Sequence, residues 1–187
     1  TITLSITDAG LDGDIATTGD NGVTSTLFVV TINDVNAPPT IDSISNFTTV
    51  EDSASQQFLL TGISAGPNET QPLTVTATSN NPTLIADPLV TYTSDQSTGS
   101  LSLAPLTDQS GTATITVQVT DGGLDGNLGT TNDNASKTIF FQISVLAEND
   151  NPTIDALDDL TINEDATQQT VTLSGISAGG NEIQPLA

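Results

Sequence analysis

Residues 112–121 of the chain read TATITVQVTD, a run in which apolar and polar side chains alternate. Ile115, Val117 and Val119 share one parity, and the polar residues between them share the other. Because successive side chains of a β-strand point to opposite faces of a sheet, this alternation predicts a strand with one buried face. The run SKTIFFQISVL at 136–146 has the same pattern and predicts a second strand.

A long internal repeat carries this pattern along the chain. TDGGLDGNLGTTNDN at Thr120 matches TDAGLDGDIATTGDN at Thr7, and GISAGGNEIQPL at Gly175 matches GISAGPNETQPL at Gly62. Both pairs are separated by 113 residues without a gap, which indicates tandem modules. A duplication inside one larger domain is the alternative. The expected division is the C-terminal part of one module at 1–36, a complete module at 37–149 and the N-terminal part of a third at 150–187.

The repeat length and the strand pattern together predict an all-β fold. A module of this length suits a seven-stranded β-sandwich, and no stretch indicates a helix. Within the complete module, strands are expected at 47–51, 56–63, 72–78, 89–93, 100–105, 112–121 and 136–147. Thr1 opens in the middle of a strand-like pattern, so the chain is expected to be part of something longer.

The composition excludes several classes of function. The chain has 23 acidic residues, one basic residue (Lys137), a net charge of -22, and no His or Cys. Ordinary zinc, haem and iron–sulfur sites therefore lack their ligands, and Ser–His or Cys–His catalysis lacks its base. Binding to nucleic acid and insertion into a membrane are not expected. A carboxylate-pair glycosidase is disfavoured because one Tyr and no Trp cannot line a sugar cleft, so we expect no enzyme.

Four motifs resemble one known group of proteins. They are LTDQSGTATITVQVTDGG from Leu106, AENDNPTID from Ala147, EDxxxQ from Glu51 and GISAGxNExQPL from Gly62. In their order along the chain, from Glu51 through Gly62 and Leu106 to Ala147, they resemble the cadherin-like and immunoglobulin-like tandem repeats of very large bacterial surface proteins, including those of planctomycetes. The resemblance implies tandem immunoglobulin/cadherin-like β-sandwich modules, an extracellular or cell-surface location, and calcium ions where one module meets the next.

The resemblance also implies particular ligands. The cadherin linker Asp-x-Asn-Asp-Asn is matched by Glu148-Asn149-Asp150-Asn151, although Ala147 replaces its first Asp. The earlier linker, Asp34-Val35-Asn36-Ala37, keeps only the first half. Glu51 and Asp121 match further ligand positions of that family, and Asp52 lies beside Glu51. The family's paired Asp is missing, and Asn68 and Glu69 occupy its place.

The acidic residues point to calcium without the resemblance as well. Calcium takes six to eight hard oxygen ligands, and carboxylates that converge need a cation to neutralise them. For the Glu148 linker the candidate ligands are Glu51, Asp52, Glu148, Asn149, Asp150, Asn181 and Glu182. For the Asn36 linker they are Asp34, Asn36, Asn68, Glu69, Asp121 and Asp125. Repeat-related candidates are Asp8, Asp12, Glu164 and Asp165.

Two alternatives remain for these acids. The loop after Asp121, through Asp125, Asn127 and Asp133, is a candidate for an ion of its own. The acids are otherwise a solvated, salt-tolerant surface.

Two functions follow from the sequence. The first is a rigid stalk or fibre whose partners are neighbouring copies of the module, joined by Ca²⁺. The second is an adhesin that binds glycans or another cell surface. Exposed aromatics would be needed for that, and the candidates Phe47 and Tyr92 are expected to pack instead.

Overall fold

The computed structural model describes residues 1–187, which form two compact units, Thr1–Val35 and Asn36–Ala187. The first unit is an antiparallel hairpin of β1 (Ile2–Thr7) and β2 (Val23–Phe28), in which Ile2 lies opposite Phe28. A loop of residues 8–22 joins the two strands. By the 113-residue spacing, the two hairpin strands correspond to residues 115–120 and 136–141, within the last two strands of the second unit.

The second unit contains a seven-stranded β-sandwich. Its strands are β3 (Phe47–Val50), β4 (Gln56–Leu60), β5 (Leu73–Ser79), β6 (Leu89–Thr91), β7 (Gly99–Leu103), β8 (Gly111–Asp121) and β9 (Ser136–Leu146). One sheet has the order β3-β9-β8-β5 and the other the order β4-β7-β6. Strand β3 pairs with β9 in parallel, and all other pairs are antiparallel. The predicted all-β sandwich class is confirmed.

The seven predicted strands are present, with small differences at their ends. The prediction that ran from 56 to 63 was too long, because β4 ends at Leu60. Gly62 has a φ of +67°, a left-handed conformation that glycine adopts without steric cost and that ends the extended chain. Ile63 is still buried beyond this bend, so it joins the core from the connecting segment.

The core lies between the two sheets and uses the side-chain parity that the sequence indicates. Ile115, Val117 and Val119 on β8 are fully buried. Phe58 lies 5.4 Å, centroid to centroid, from both Phe47 and Phe141. Tyr92 also packs against this core, so the expected packing of Phe47 and Tyr92 is observed. Burial of these large apolar side chains supplies the main stabilising term of the module.

Residues 150–187 repeat a local backbone pattern of the complete module. Thr153 and Ser177 form an isolated antiparallel bridge, as Thr40 and Ser64 do 113 residues earlier. The Thr153 hydroxyl donates a hydrogen bond to the Gly175 carbonyl oxygen (2.9 Å), which matches the bond from Thr40 to Gly62 (2.7 Å). The same sequence therefore forms the same bridge in both copies.

Candidate metal centre

Three carboxylates converge at one end of the seven-stranded sandwich, where the chain leaves β9. Asp52 lies in the turn after β3, Asp108 lies between β7 and β8, and Asp150 lies beyond β9. One oxygen from each lies within 4.8 Å of the other two. Asp52 and Asp108 have φ values of +57° and +55°, and Asp tolerates this left-handed conformation better than most residues. We call Asp52, Asp108 and Asp150 the carboxylate triad.

Hydrogen bonds fix the triad from both sides of the junction. The Asp108 amide donates to Asp52 Oδ1 (3.1 Å), which joins the two turns of the module. Asn181 Nδ2 donates to the Asp108 carbonyl oxygen (2.7 Å), and the Asp150 amide donates to Glu182 Oε2 (3.2 Å). Segments more than 70 residues apart in sequence are thereby held at one place.

The electrostatics of the triad favour a cation. Partial burial raises the pKa of Asp108, and the neighbouring charges of Asp150, Asp52 and Glu51 raise it further. Asp150 Oδ2 is buried and has no hydrogen-bond partner. A buried anionic oxygen without a donor is unfavourable unless a positive charge lies beside it. Three hard oxygen donors without an imidazole or thiol are a donor set for Ca²⁺ or Mg²⁺.

Two other predicted ligands at this junction hold the backbone of the linker. Glu51 is 6% exposed, and its Oε1 accepts a hydrogen bond from the Glu148 amide (2.7 Å). The Asn149 side chain accepts from Gln184 Nε2 (2.9 Å) and donates to the Asp150 carbonyl oxygen (2.9 Å). These contacts position Asp150 at the end of β9.

The earlier linker is built in the same way but around a buried acid. The Ala37 amide donates to Glu69 Oε1 (2.9 Å), and Gln71 Nε2 donates to Asn36 Oδ1 (2.6 Å). Asn36 Nδ2 in turn donates to Asp121 Oδ1 (3.0 Å) and to the Asp133 carbonyl oxygen (2.8 Å). Asp121 is fully buried; its Oδ1 also accepts from two loop amides, whereas its Oδ2 has no partner.

The acidic residues of the long loops accept hydrogen bonds from groups of the same loops. Asp125 accepts hydrogen bonds from the Asn127 amide (2.8 Å) and the Thr130 hydroxyl (2.7 Å). In the first unit, Asp12 accepts from the Asp14 amide and the Thr17 hydroxyl, bonds that lower the pKa of Asp12, the Thr17 bond most. Hydrogen bonds from Gly22 and then Gly10 likewise lower the pKa of Asp8. An ion within these loops stays a prediction.

The predicted ligands are therefore distributed over several places. At the triad the structure brings together Asp52 and Asp150, with Glu51, Glu148, Asn149, Asn181 and Glu182 in the hydrogen bonds around them. At the earlier linker it brings together Asn36, Glu69 and Asp121. Asn68 is exposed beside that linker, Asn151 is exposed beyond the triad, and Glu164 and Asp165 lie on an exposed turn. Asp8, Asp12 and Asp34 belong to the first unit.

Sequence reasoning missed Asp108. It lies within LTDQSG, where Asp followed by polar residues and Gly is typical of any turn. The repeat offers no second copy of this position within the chain, because its counterparts fall outside residues 1–187. Contacts with Asp52, 56 residues away, and with Asn181, 73 residues away, mark Asp108 as part of the triad.

Comparison with known proteins identifies no family. No protein-family model matches the chain, and no curated protein sequence matches it. Among solved structures, the chain is similar to domains 4 and 5 of the S-layer protein SbsC, with 18% identity, a TM-score of 0.37, and coverage of 68% of this chain and 52% of that one. It is also similar to the titin domains Z1Z2, solved in complex with telethonin, with 16% identity, a TM-score of 0.38, and coverage of 65% and 54%.

A third similarity is to the PapD-like domain 7 of human CEP192, with 11% identity, a TM-score of 0.37, and coverage of 66% of this chain and 95% of that domain. The chain spans about half the length of the SbsC and titin structures. No helix of the structure has the length and hydrophobicity needed to span a membrane. The fold assignment rests on the strand order and pairing of the molecule itself.

Proposed function

We propose that this chain is a non-catalytic segment of an extracellular or cell-surface stalk or fibre, in which calcium ions stiffen the junctions between modules. The observation that carries the proposal is the carboxylate triad. It joins two turns of the complete module to the first residues of the next repeat. The chain has a single Lys or Arg, so a bound cation is the available means of neutralising these charges.

A cation at the triad would act as a mechanical joint. Asp52 and Asp108 belong to the folded sandwich, whereas Asp150 belongs to the linker and is tied to Glu182 in the following segment. An ion that binds all three carboxylates stabilises the arrangement in which they converge over arrangements in which they are apart. The bound ion would therefore hold the linker at one angle, and the linker would be flexible without it.

The buried Asp121 supports a cation at the earlier linker as well. Its Oδ2 is enclosed and without a donor, although Oδ1 of the same carboxylate accepts three hydrogen bonds. Native proteins seldom leave a buried charged oxygen unpaired. The partners implied by this function are neighbouring copies of the module, in the same chain or in a fibre.

Calcium removal tests the proposal. A protease that does not require Lys or Arg, such as proteinase K, is suitable because the chain has a single Lys or Arg. We expect it to cut the linker around residues 147–152 faster in excess chelator than in calcium. The small-angle scattering profile of the same samples should change from that of a fixed arrangement to that of a flexible one. Terbium luminescence, with terbium standing in for calcium, reports whether an ion binds.

The control for this experiment is magnesium at matched ionic strength, because salt alone screens the repulsion between carboxylates. Magnesium demands a tighter octahedral shell and sheds its water reluctantly, so it should protect the linker less than calcium does. Identical digestion and scattering in chelator and in calcium would refute the proposal.

A further inference from the structure

The outer face of the four-stranded sheet is a regular array of uncharged side chains. Strands β5, β8 and β9 pair in continuous register, so Thr78, Thr116 and Phe140 form one row across the sheet, and Thr76, Gln118 and Thr138 form the next. The outward side chains of the three strands are Thr74, Thr76, Thr78, Thr112, Thr114, Thr116, Gln118, Thr120, Ser136, Thr138, Phe140, Gln142, Ser144 and Leu146. None carries a charge, in a chain whose net charge is -22.

Phe140 is the exposed aromatic of the complete module. Its side chain is 64% exposed, whereas Phe47, Phe58, Phe141 and Tyr92 pack in or against the core. Around it lie hydroxyl and amide groups: Thr116 directly opposite on β8, Gln118 one row away, and Gln142 one row away on β9 itself. The ring is therefore an apolar surface set among neutral hydrogen-bond donors and acceptors.

The size and charge of this face limit the kinds of partner that it can bind. Strands β8 and β9 pair over ten positions and β5 joins β8 over seven, so the three strands cover at most about 14 Å by about 34 Å, or roughly 500 Å² of flat area. A stable protein–protein interface needs about 800 Å² of accessible surface from each partner, so a second copy would have to contact more of the molecule than these three strands. A polyanion would be repelled by the net charge, and a cationic partner would find no carboxylate on the face.

We propose that this face binds an uncharged polysaccharide strand. The Phe140 ring offers an apolar surface for the flat C–H face of a sugar ring, and the Thr hydroxyls and Gln amides offer both donors and acceptors for sugar hydroxyls. The long dimension of the array follows β8 and β9, which suits an extended chain. A weak site on each module would gain avidity along a tandem array.

The first unit carries a weaker form of the same face. Its Thr3 and Thr7 correspond to Thr116 and Thr120, but Leu27 stands where the complete module has Phe140. Leu27 is 66% exposed and offers no ring. We therefore expect the complete module to provide the stronger site. Because the face lies on the sheet and not at the triad, this binding is independent of the calcium proposal.

The test is affinity electrophoresis of the whole chain, in calcium, through gels that contain hydroxyethylcellulose, galactomannan, dextran or alginate. We expect at least one neutral polysaccharide to retard the chain and alginate to leave it unretarded. Phe140→Ala should weaken the retarding interaction at least tenfold. Amide chemical shifts measured with a matching oligosaccharide should change in β5, β8 and β9.

The matched control is Leu59→Ala, which removes a side chain that is 68% exposed on the outer face of the other sheet. This variant should bind as the wild type does. Sedimentation velocity measures whether the face instead joins two copies. No retardation by any neutral polysaccharide, equal binding by Phe140→Ala, or a dimer that Phe140→Ala dissociates would each overturn the proposal. Loss of calcium binding with retained polysaccharide binding would refute only the stalk function.

Discussion

The two linkers of the second unit share one framework and differ in where they place their acids. In both, a Glu two residues before a Gln accepts the linker amide, through Glu69 to Ala37 and through Glu182 to Asp150. In both, that Gln donates to the linker Asn. The earlier linker then has Ala37 where the later one has Asp150. The two linkers therefore share their hydrogen bonds, and Asp150 adds the third carboxylate of the triad to the later one.

A second difference accompanies the first. Gly180, which lies beside the later linker, corresponds to Pro67 beside the earlier one. A Cβ atom at Gly180 would overlap the Asp150 carboxylate and lie 3.2 Å from Asp108 Cγ. Because Ala37 has no carboxylate, the earlier linker has room for a ring at this position. The Asp150 carboxylate therefore requires a glycine at position 180, and substitutions at either residue test this dependence.

The largest effect is expected at the buried acid of the earlier linker. Asp121→Ala should lower the free energy of unfolding of the complete module by about 3 kcal/mol, because three buried or partly buried hydrogen bonds lose their acceptor. The measurement is urea denaturation in chelator. Asp125 is an exposed acid of the loop that follows Asp121. The variant Asp125→Ala should therefore lower the free energy of unfolding by less than about 1 kcal/mol. Equal losses in the two variants would contradict the anchoring role of Asp121.

The next effect is expected at the triad. Asp150→Asn should weaken calcium binding by about 10- to 100-fold, since the affinity of such sites follows the number of charged ligands. It should leave stability in chelator unchanged or slightly higher, because it relieves repulsion with Asp52 and Asp108. Calorimetric titration gives the affinity. Asp158→Asn makes the same change of charge outside the triad and should bind calcium as the wild type does.

A smaller effect should follow from Gly180→Ala. The added methyl group displaces the Asp150 carboxylate without changing any charge, so calcium affinity should fall by about tenfold. Gly180 also has a φ of +41°, which an alanine tolerates poorly. Gly13→Ala is the control for that strain, because Gly13 has a φ of +71° and open space around it. If Gly180→Ala binds normally, the packing of Asp150 against this glycine has no role in the site.

The smallest effect is expected from pH in the absence of calcium. The raised pKa of Asp108 means that the folded protein holds this proton more tightly than the unfolded chain, whose ordinary value is 3.8. Repulsion at the triad should therefore be lost, and stability gained, as the pH falls through the raised pKa. Thermal unfolding in chelator from about pH 7 to about pH 4 measures this gain.

The variant Asp108→Asn provides the control for this pH dependence, since it should flatten the profile in that window. The first unit should behave in the opposite way. The pKa values of Asp8 and Asp12 are lowered, so their contribution to stability is lost only as the pH falls through those lowered values, below 3.8. A profile that falls steadily from neutral pH would contradict the repulsion at the triad.

Much of the fold was predictable because strand residues alternate. The parity of Ile115, Val117 and Val119 identified the buried face of β8, and the structure buries all three. The positions of the turns followed from Gly, Asn and Asp. The alternation in β9 likewise placed Phe141 inward and Phe140 outward, as the structure has them. What local pattern did not give was the early end of β4, which depends on the left-handed backbone at Gly62.

The sequence by itself determined that acids accumulate at turns and linkers and that no basic residue accompanies them. The 113-residue repeat determined which of those positions correspond. Only the tertiary structure decided that Asp108 joins Asp52 and Asp150, that Glu51 holds a backbone amide, and that Asp121 is buried. The physical reason is that a carboxylate's role depends on which donors and charges surround it. Those neighbours come from segments brought together when the two sheets pack.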